Sequence, residues 1–306
     1  MKNLAFRIAV YMLLSGATWA QACKFTISGT TMTLRNDCVT SATIIVPDGF
    51  TLNGGKHLIT VVDPGNGQFF AGPVITNAGP TASVTNLLID SPHLGVCSVI
   101  EGISFIATTG SIAGNTILHM GSVANCVTGS TGIELISPVN VTVSNNRVFY
   151  GNGPALSATC PSWPNCNGGG TVSVSNNEFS TSLNQVVVYL SGVGGSFTGN
   201  TLDAFVIYNI ALHLTNTFPG LRIDSNRFNL ASAAATGAGI YVGSDNAIIT
   251  GNRVFNWGIF EGGAVGINNV GATNPASNTI KNNSIRCYGT PTVNVTGSNT
   301  VVPCLW

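Results

Sequence analysis

Val141-Thr142-Val143-Ser144-Asn145-Asn146-Arg147-Val148 returns 31 residues later as Val172-Ser173-Val174-Ser175-Asn176-Asn177-Glu178-Phe179. In both copies apolar side chains alternate with small polar ones, the period of a strand with one face buried. Each run breaks at an asparagine and resumes beyond it. Ser111-Ile112-Ala113-Gly114-Asn115-Thr116-Ile117 is a third copy, and others centre on Asn200, Asn226, Asn252 and Asn283. Looser copies centre on Asn53 and Asn86. The nine asparagines are separated by 33, 29, 31, 31, 23, 26, 26 and 31 residues, and periods of this size signal a repeat architecture.

One period holds three short strands. Gly239-Ile240-Tyr241-Val242 is followed by a turn at Ser244-Asp245-Asn246. Ala247-Ile248-Ile249-Thr250 comes next, then Asn252, then Arg253-Val254-Phe255. No segment shows a helical period. Stacked coils of this kind bury one continuous apolar interior between three parallel sheets. The asparagine is expected to take the left-handed backbone of a sharp bend. Its amide is expected to bond the equivalent amide one coil above and below. The Asn-bend motif and three-strand coil resemble the right-handed parallel β-helix (pectate-lyase-like) superfamily over Ala42 to Val302. The expected fold is an all-β, single-domain right-handed parallel β-helix solenoid of about nine to ten coils with disulfide-stapled ends.

Composition fits this reading. Of 306 residues only 7% are charged, 37 are glycine, and the net charge is zero. Regularly spaced Val, Ile, Leu and Phe argue against disorder. Lys2 and Arg7, the apolar stretch Ile8 to Leu14, and Ala20-Gln21-Ala22 read as a secretory signal over residues 1–22. Residues 23–41 form the expected N-terminal cap, 42–286 the β-helix, and 287–306 a C-terminal coil and cap with Leu305 and Trp306 as plugs. Beyond the signal no apolar run is long enough to span a membrane. Without Lys2 and Arg7 the chain carries 9 basic and 11 acidic residues, which gives no electrostatic case for nucleic acid. An exported chain with eight cysteines is expected to form disulfides. Spacing suggests Cys23 with Cys38, Cys97 with Cys126, Cys160 with Cys166, and Cys287 with Cys304, although spacing does not prove connectivity. There is no C-x-x-C or Cys/His cluster and no group of Asp residues, so neither metal nor cofactor is expected.

Members of the superfamily usually bind sugar chains along the first strand of each coil, so the resemblance implies a site there. Alternation turns Glu134, Tyr189, His213 and Tyr241 outward on that strand, with Ser104, Ser157 and Asn268 extending the row. Aromatic rings there could face sugar C–H groups. His213 and a tyrosine could exchange protons, and Glu134 could act as acid or base. Tyr and His also suit exposed strand positions with no ligand at all. Loops after the third strand offer Asp203, Tyr208, Trp257 and Glu261 as substrate contacts, along with His93, Glu101, His119 and Phe260. The loop with Trp163 is an insertion between first and second strands. Arg147, Arg227 and Arg253 each follow a bend asparagine and read as a solvated edge that discourages sheet-to-sheet pairing.

The motifs of polygalacturonases and the arginine-rich strand of calcium-dependent pectate lyases are absent. Two functions remain open. One is an exported protein, secreted or in the periplasm or cell envelope, that binds a polysaccharide or cell-surface glycan and acts, if an enzyme, as a polysaccharide lyase or glycoside hydrolase. The other is a non-catalytic adhesin or structural envelope protein.

Overall fold

A computed structural model describes residues 21–92, 94–95, 98–120, 130–151, 153–161, 170–181, 186–204, 210–231, 237–257 and 264–303. The strands form sheets of 10, 11 and 11 members, and neighbours within a sheet are almost always three strands apart in chain order. Each coil therefore contributes one strand to each sheet, and the chain is a right-handed parallel β-helix. The coil containing Asn252 shows the arrangement. Its first-sheet strand is Ala238–Gly243, its second-sheet strand Ile248–Thr250 and its third-sheet strand Arg253–Asn256. Antiparallel pairing occurs where Phe25–Ser28 folds back on Thr31–Leu34 and covers the N-terminal end of the second sheet. Among the described residues the one helical element is a 3-10 turn, Pro275–Ser277, and no helix is long and apolar enough to cross a membrane.

Like side chains stack along the interior. Ile112, Val143, Val174, Phe197, Ile223, Ile249 and Ile280 are in register on the second sheet and all are buried. Ile117, Val148, Phe179, Leu202, Phe228, Val254 and Ile285 do the same on the third. Tyr288 is buried at the C-terminal end of the same core.

The asparagine ladder is present. The Nδ2 of Asn115, Asn146, Asn177, Asn200, Asn226 and Asn252 each donates to the Oδ1 of the next rung at 2.9–3.0 Å, ending at Asn283. The same Oδ1 atoms also accept the preceding rung's backbone N–H. The structure corrects two expectations about it. The left-handed residue is the one before the rung: Asn145, Asn176 and Asn282 have φ between 55° and 59°. That corner residue turns the chain, which leaves the rung free to aim its amide along the stack. Asn86 is itself a corner residue (φ 53°), and Leu87 fills the rung position, its N–H donating to Asn115 Oδ1. Asn53 ends a strand opposite Thr85, outside the ladder. Regular asparagine-bearing turns thus number about seven, Asn115 to Asn283, within sheets of 10, 11 and 11 strands. Asn299 adds a rung only 16 residues after Asn283, and the short spacing hid it in the sequence.

Cys23 and Cys38 form the expected disulfide. Cys160 and Cys287 are also disulfide-bonded. Cys97, Cys126, Cys166 and Cys304 lie outside the described residues, as do Leu305, Trp306 and residues 1–20 of the expected signal. Gln21 and Ala22 are the first described residues, and Ala22 bridges Val39.

The ladder sets a stability contrast. Asn177→Ala leaves the backbone N–H and Nδ2 of Asn146 buried without their acceptor, so stability is expected to fall by roughly 2–5 kcal/mol. Asn53→Ala removes only a local bond to the Gly55 N–H and is expected to stay within about 0.5 kcal/mol. Urea melts of the two variants check this; equal losses would mean that the ladder does not set the stability.

Candidate functional site

Alternation along the first-sheet strands leaves one row of side chains outside the apolar stack. Pairing places Ser104, Glu134, Ser157, Tyr189, His213, Tyr241 and Asn268 side by side on seven consecutive strands. The row read from the sequence is therefore one physical row. Ser104 and Ser157 are buried, and the other five are half-buried. His213 lies between two tyrosines. Its ring centroid is 5.2 Å from Tyr189 and 4.8 Å from Tyr241, both edge-to-face. Burial pushes the His213 imidazole below its usual range, so it is neutral at pH 7 and able to take a proton. Beyond Tyr241, the buried Oδ1 of Asn268 has no hydrogen-bond partner among the described residues.

Glu134 forms a second unit. Burial, and then the negative charge and hydrogen bond of Glu101, push its carboxyl up to about 7. Ser104 Oγ stands 3.5 Å from Glu134 Oε2 and opposes this shift. Sequence reading places Glu101 in a loop after a third strand. It belongs instead to the first-sheet strand Val99–Ile106, three positions before Ser104 in the row. The one-position offset of Glu101 from the outward alternation conceals the contact.

Distance separates the two units. Glu134 and His213 are three strand spacings apart, roughly 14 Å at about 4.8 Å each. That is far beyond the reach needed for both to act on one bond. Glu101 is near enough to Glu134 for its charge to hold the Glu134 proton. Glu134 is thus a carboxyl with a raised proton affinity, set apart from the Tyr189–His213–Tyr241 cluster.

The remaining sequence candidates lie elsewhere. Asp203 is on the third sheet, inside the strand Thr201–Ala204, and accepts a 2.6 Å bond from Asn229 Nδ2. Trp257 follows the third-sheet strand Arg253–Asn256 and is exposed. His119 sits 2.8 Å from Asp90 Oδ1. Tyr208, Glu261, His93, Phe260 and Trp163 lie outside the described residues. A groove of about 590 Å³ opens on the third sheet and is lined by Arg227, Asn229, Arg253, Phe255, Ser284 and Arg286. It shares no residue with the first-sheet row.

No family model and no curated protein matches the chain. Among solved structures it is similar to PfbA, a surface adhesin of Streptococcus pneumoniae, with 10% identity, a TM-score of 0.37, and coverage of 89% of this chain and 81% of that one. It is also similar to the A-modules of two Azotobacter vinelandii mannuronan C-5 epimerases. For AlgE4 the identity is 10%, the TM-score 0.34 and the coverage 90% and 87%. For AlgE6 the values are 12%, 0.35, 90% and 85%. At these identities the likeness is one of fold alone.

The carboxyl pair sets a pH dependence. Folded Glu134 keeps its proton up to about pH 7, while an ordinary glutamate releases it near 4.5. Between those values the native state binds more protons than the unfolded one, so this group's contribution to stability falls as pH rises. Glu101→Gln removes the neighbouring charge but not the burial. The Glu134 midpoint is expected to drop yet remain above 4.5, as followed by side-chain carboxyl NMR titration. A midpoint still at about 7 would remove Glu101 as a cause.

Proposed function

We propose that the protein is an extracellular or cell-envelope polysaccharide-binding β-helix that holds a glycan chain along the first-sheet face. The observation that carries this reading is the Tyr189–His213–Tyr241 cluster, three half-buried rings in register on adjacent strands. Strands about 4.8 Å apart present such groups at regular intervals, as an extended polymer requires. Each ring offers apolar surface with a polar atom, the combination that suits a sugar with one C–H face and a hydroxyl rim.

Turnover, where it occurs, belongs to the cluster. Neutral His213 takes a proton from the sugar ring and a flanking tyrosine hydroxyl assists the leaving oxygen, the division of labour of a lyase. The second reading is a non-catalytic adhesin or structural envelope protein, which the roughly 14 Å between Glu134 and His213, at about 4.8 Å per strand, favours.

A glycan array, followed by reducing-end and unsaturated-product assays, tests the proposal. Wild type is expected to bind at least one glycan, and His213→Ala together with Tyr241→Ala to weaken binding roughly tenfold or more. Binding without product selects the recognition reading. Absence of binding to every glycan, in a folded wild-type sample, sinks the polysaccharide reading and leaves the structural one.

A further inference from the structure

The third-sheet groove is legible in the sequence only as a row of solvated arginines. The structure shows that the row has two different ends. Its register runs Arg147, Glu178, Thr201, Arg227, Arg253, Ser284. Arg147 is neutralised there: its Nε lies 3.0 Å from Glu178 Oε2, and its guanidinium stands 5.2 Å from the Phe149 ring centroid. Arg227 and Arg253 face each other on adjacent strands with no carboxylate between them. A parallel row two residues further along carries Asp203, Asn229, Phe255 and Arg286. Arg286 thereby joins the other two on the outer face of three consecutive strands.

All three arginines are exposed, and none is in an ion pair among the described residues. Arg227 Nε donates to Asn229 Oδ1 at 3.0 Å, and Asn229 Nδ2 in turn donates to Asp203. Asp203 is thus engaged by an amide. Like charges directly opposed across strands destabilise a sheet. The arrangement becomes favourable once an anion lies between the guanidiniums, whose planar forks match the oxygens of a carboxylate or sulfate.

We propose that Arg227, Arg253 and Arg286 form a binding groove for an acidic polysaccharide, one bearing carboxylate or sulfate groups, on a face separate from the first-sheet row. Three features favour a glycan. The groove is open at about 590 Å³, which accommodates a sugar unit rather than a buried ion. Phe255 stands among the three cations and offers apolar surface to a sugar ring. The whole chain balances 11 basic against 11 acidic residues, so it lacks the positive field that holds a nucleic acid through many phosphates.

Binding of the full chain to polygalacturonate, heparin, dextran and single-stranded DNA, each at low and physiological salt, tests the inference. The wild type is expected to bind at least one of the two acidic glycans, more weakly as salt rises, and to prefer it to dextran and DNA. Arg227→Gln with Arg253→Gln is expected to weaken that binding roughly tenfold or more. Arg253→Lys keeps the charge but loses the fork, so an intermediate loss is expected. Arg147→Gln is expected to leave acidic-glycan binding within about twofold, because that guanidinium is already paired with Glu178. Circular dichroism and melting confirm that each exposed-site variant is folded. Dextran or DNA bound as tightly as the acidic glycans would overturn the proposal. So would an unaffected double variant, or an equal loss in Arg147→Gln.

Discussion

A buried row of amides determines everything outside it. Each rung from Asn115 to Asn252 spends its Nδ2 on the next amide and on a strand carbonyl, and each Oδ1 from Asn146 to Asn283 receives two donors from the coil before. In a low-dielectric interior such groups are costly alone and strong when every partner is in place. The ladder therefore tolerates only one axial register. It also explains why repeat length varies from 23 to 31 residues between Asn115 and Asn283 without disturbing the stack: the rung pins the corner, and the extra residues leave through loops.

Fixed register gives the outer surfaces their meaning. On the first sheet it aligns three rings whose burial keeps His213 neutral, and it brings Glu101 against Glu134. On the third sheet the same stacking sets Arg147 against Glu178, and then Arg227 against Arg253. One scaffold thus presents an aromatic and imidazole row on one face and an unneutralised cationic groove on another. With so few charges in the chain, their convergence on one patch depends on stacking rather than on abundance.

The separation of these groups narrows the chemistry. Glu134, which keeps its proton up to about pH 7, stands roughly 14 Å from His213 at about 4.8 Å per strand, too far for the two to act on one bond.

Alternation within a strand is a local property. The sequence alone therefore determined the coil, its three strands, and the outward side chains from Ser104 to Asn268. Neighbour relations between coils are not local. They depend on how many residues each loop absorbs before the next strand begins, and only packing of the core and ladder settles that. This is why Asn86 reads as a rung although the corner falls on it and Leu87 takes the rung. For the same reason Asn299 escapes the repeat count, Glu101 reads as a loop residue, and Arg286 is missing from a row that it completes from two residues away. The tertiary structure decided which side chains meet, because stacking converts irregular spacing along the chain into a regular strand separation across the sheets.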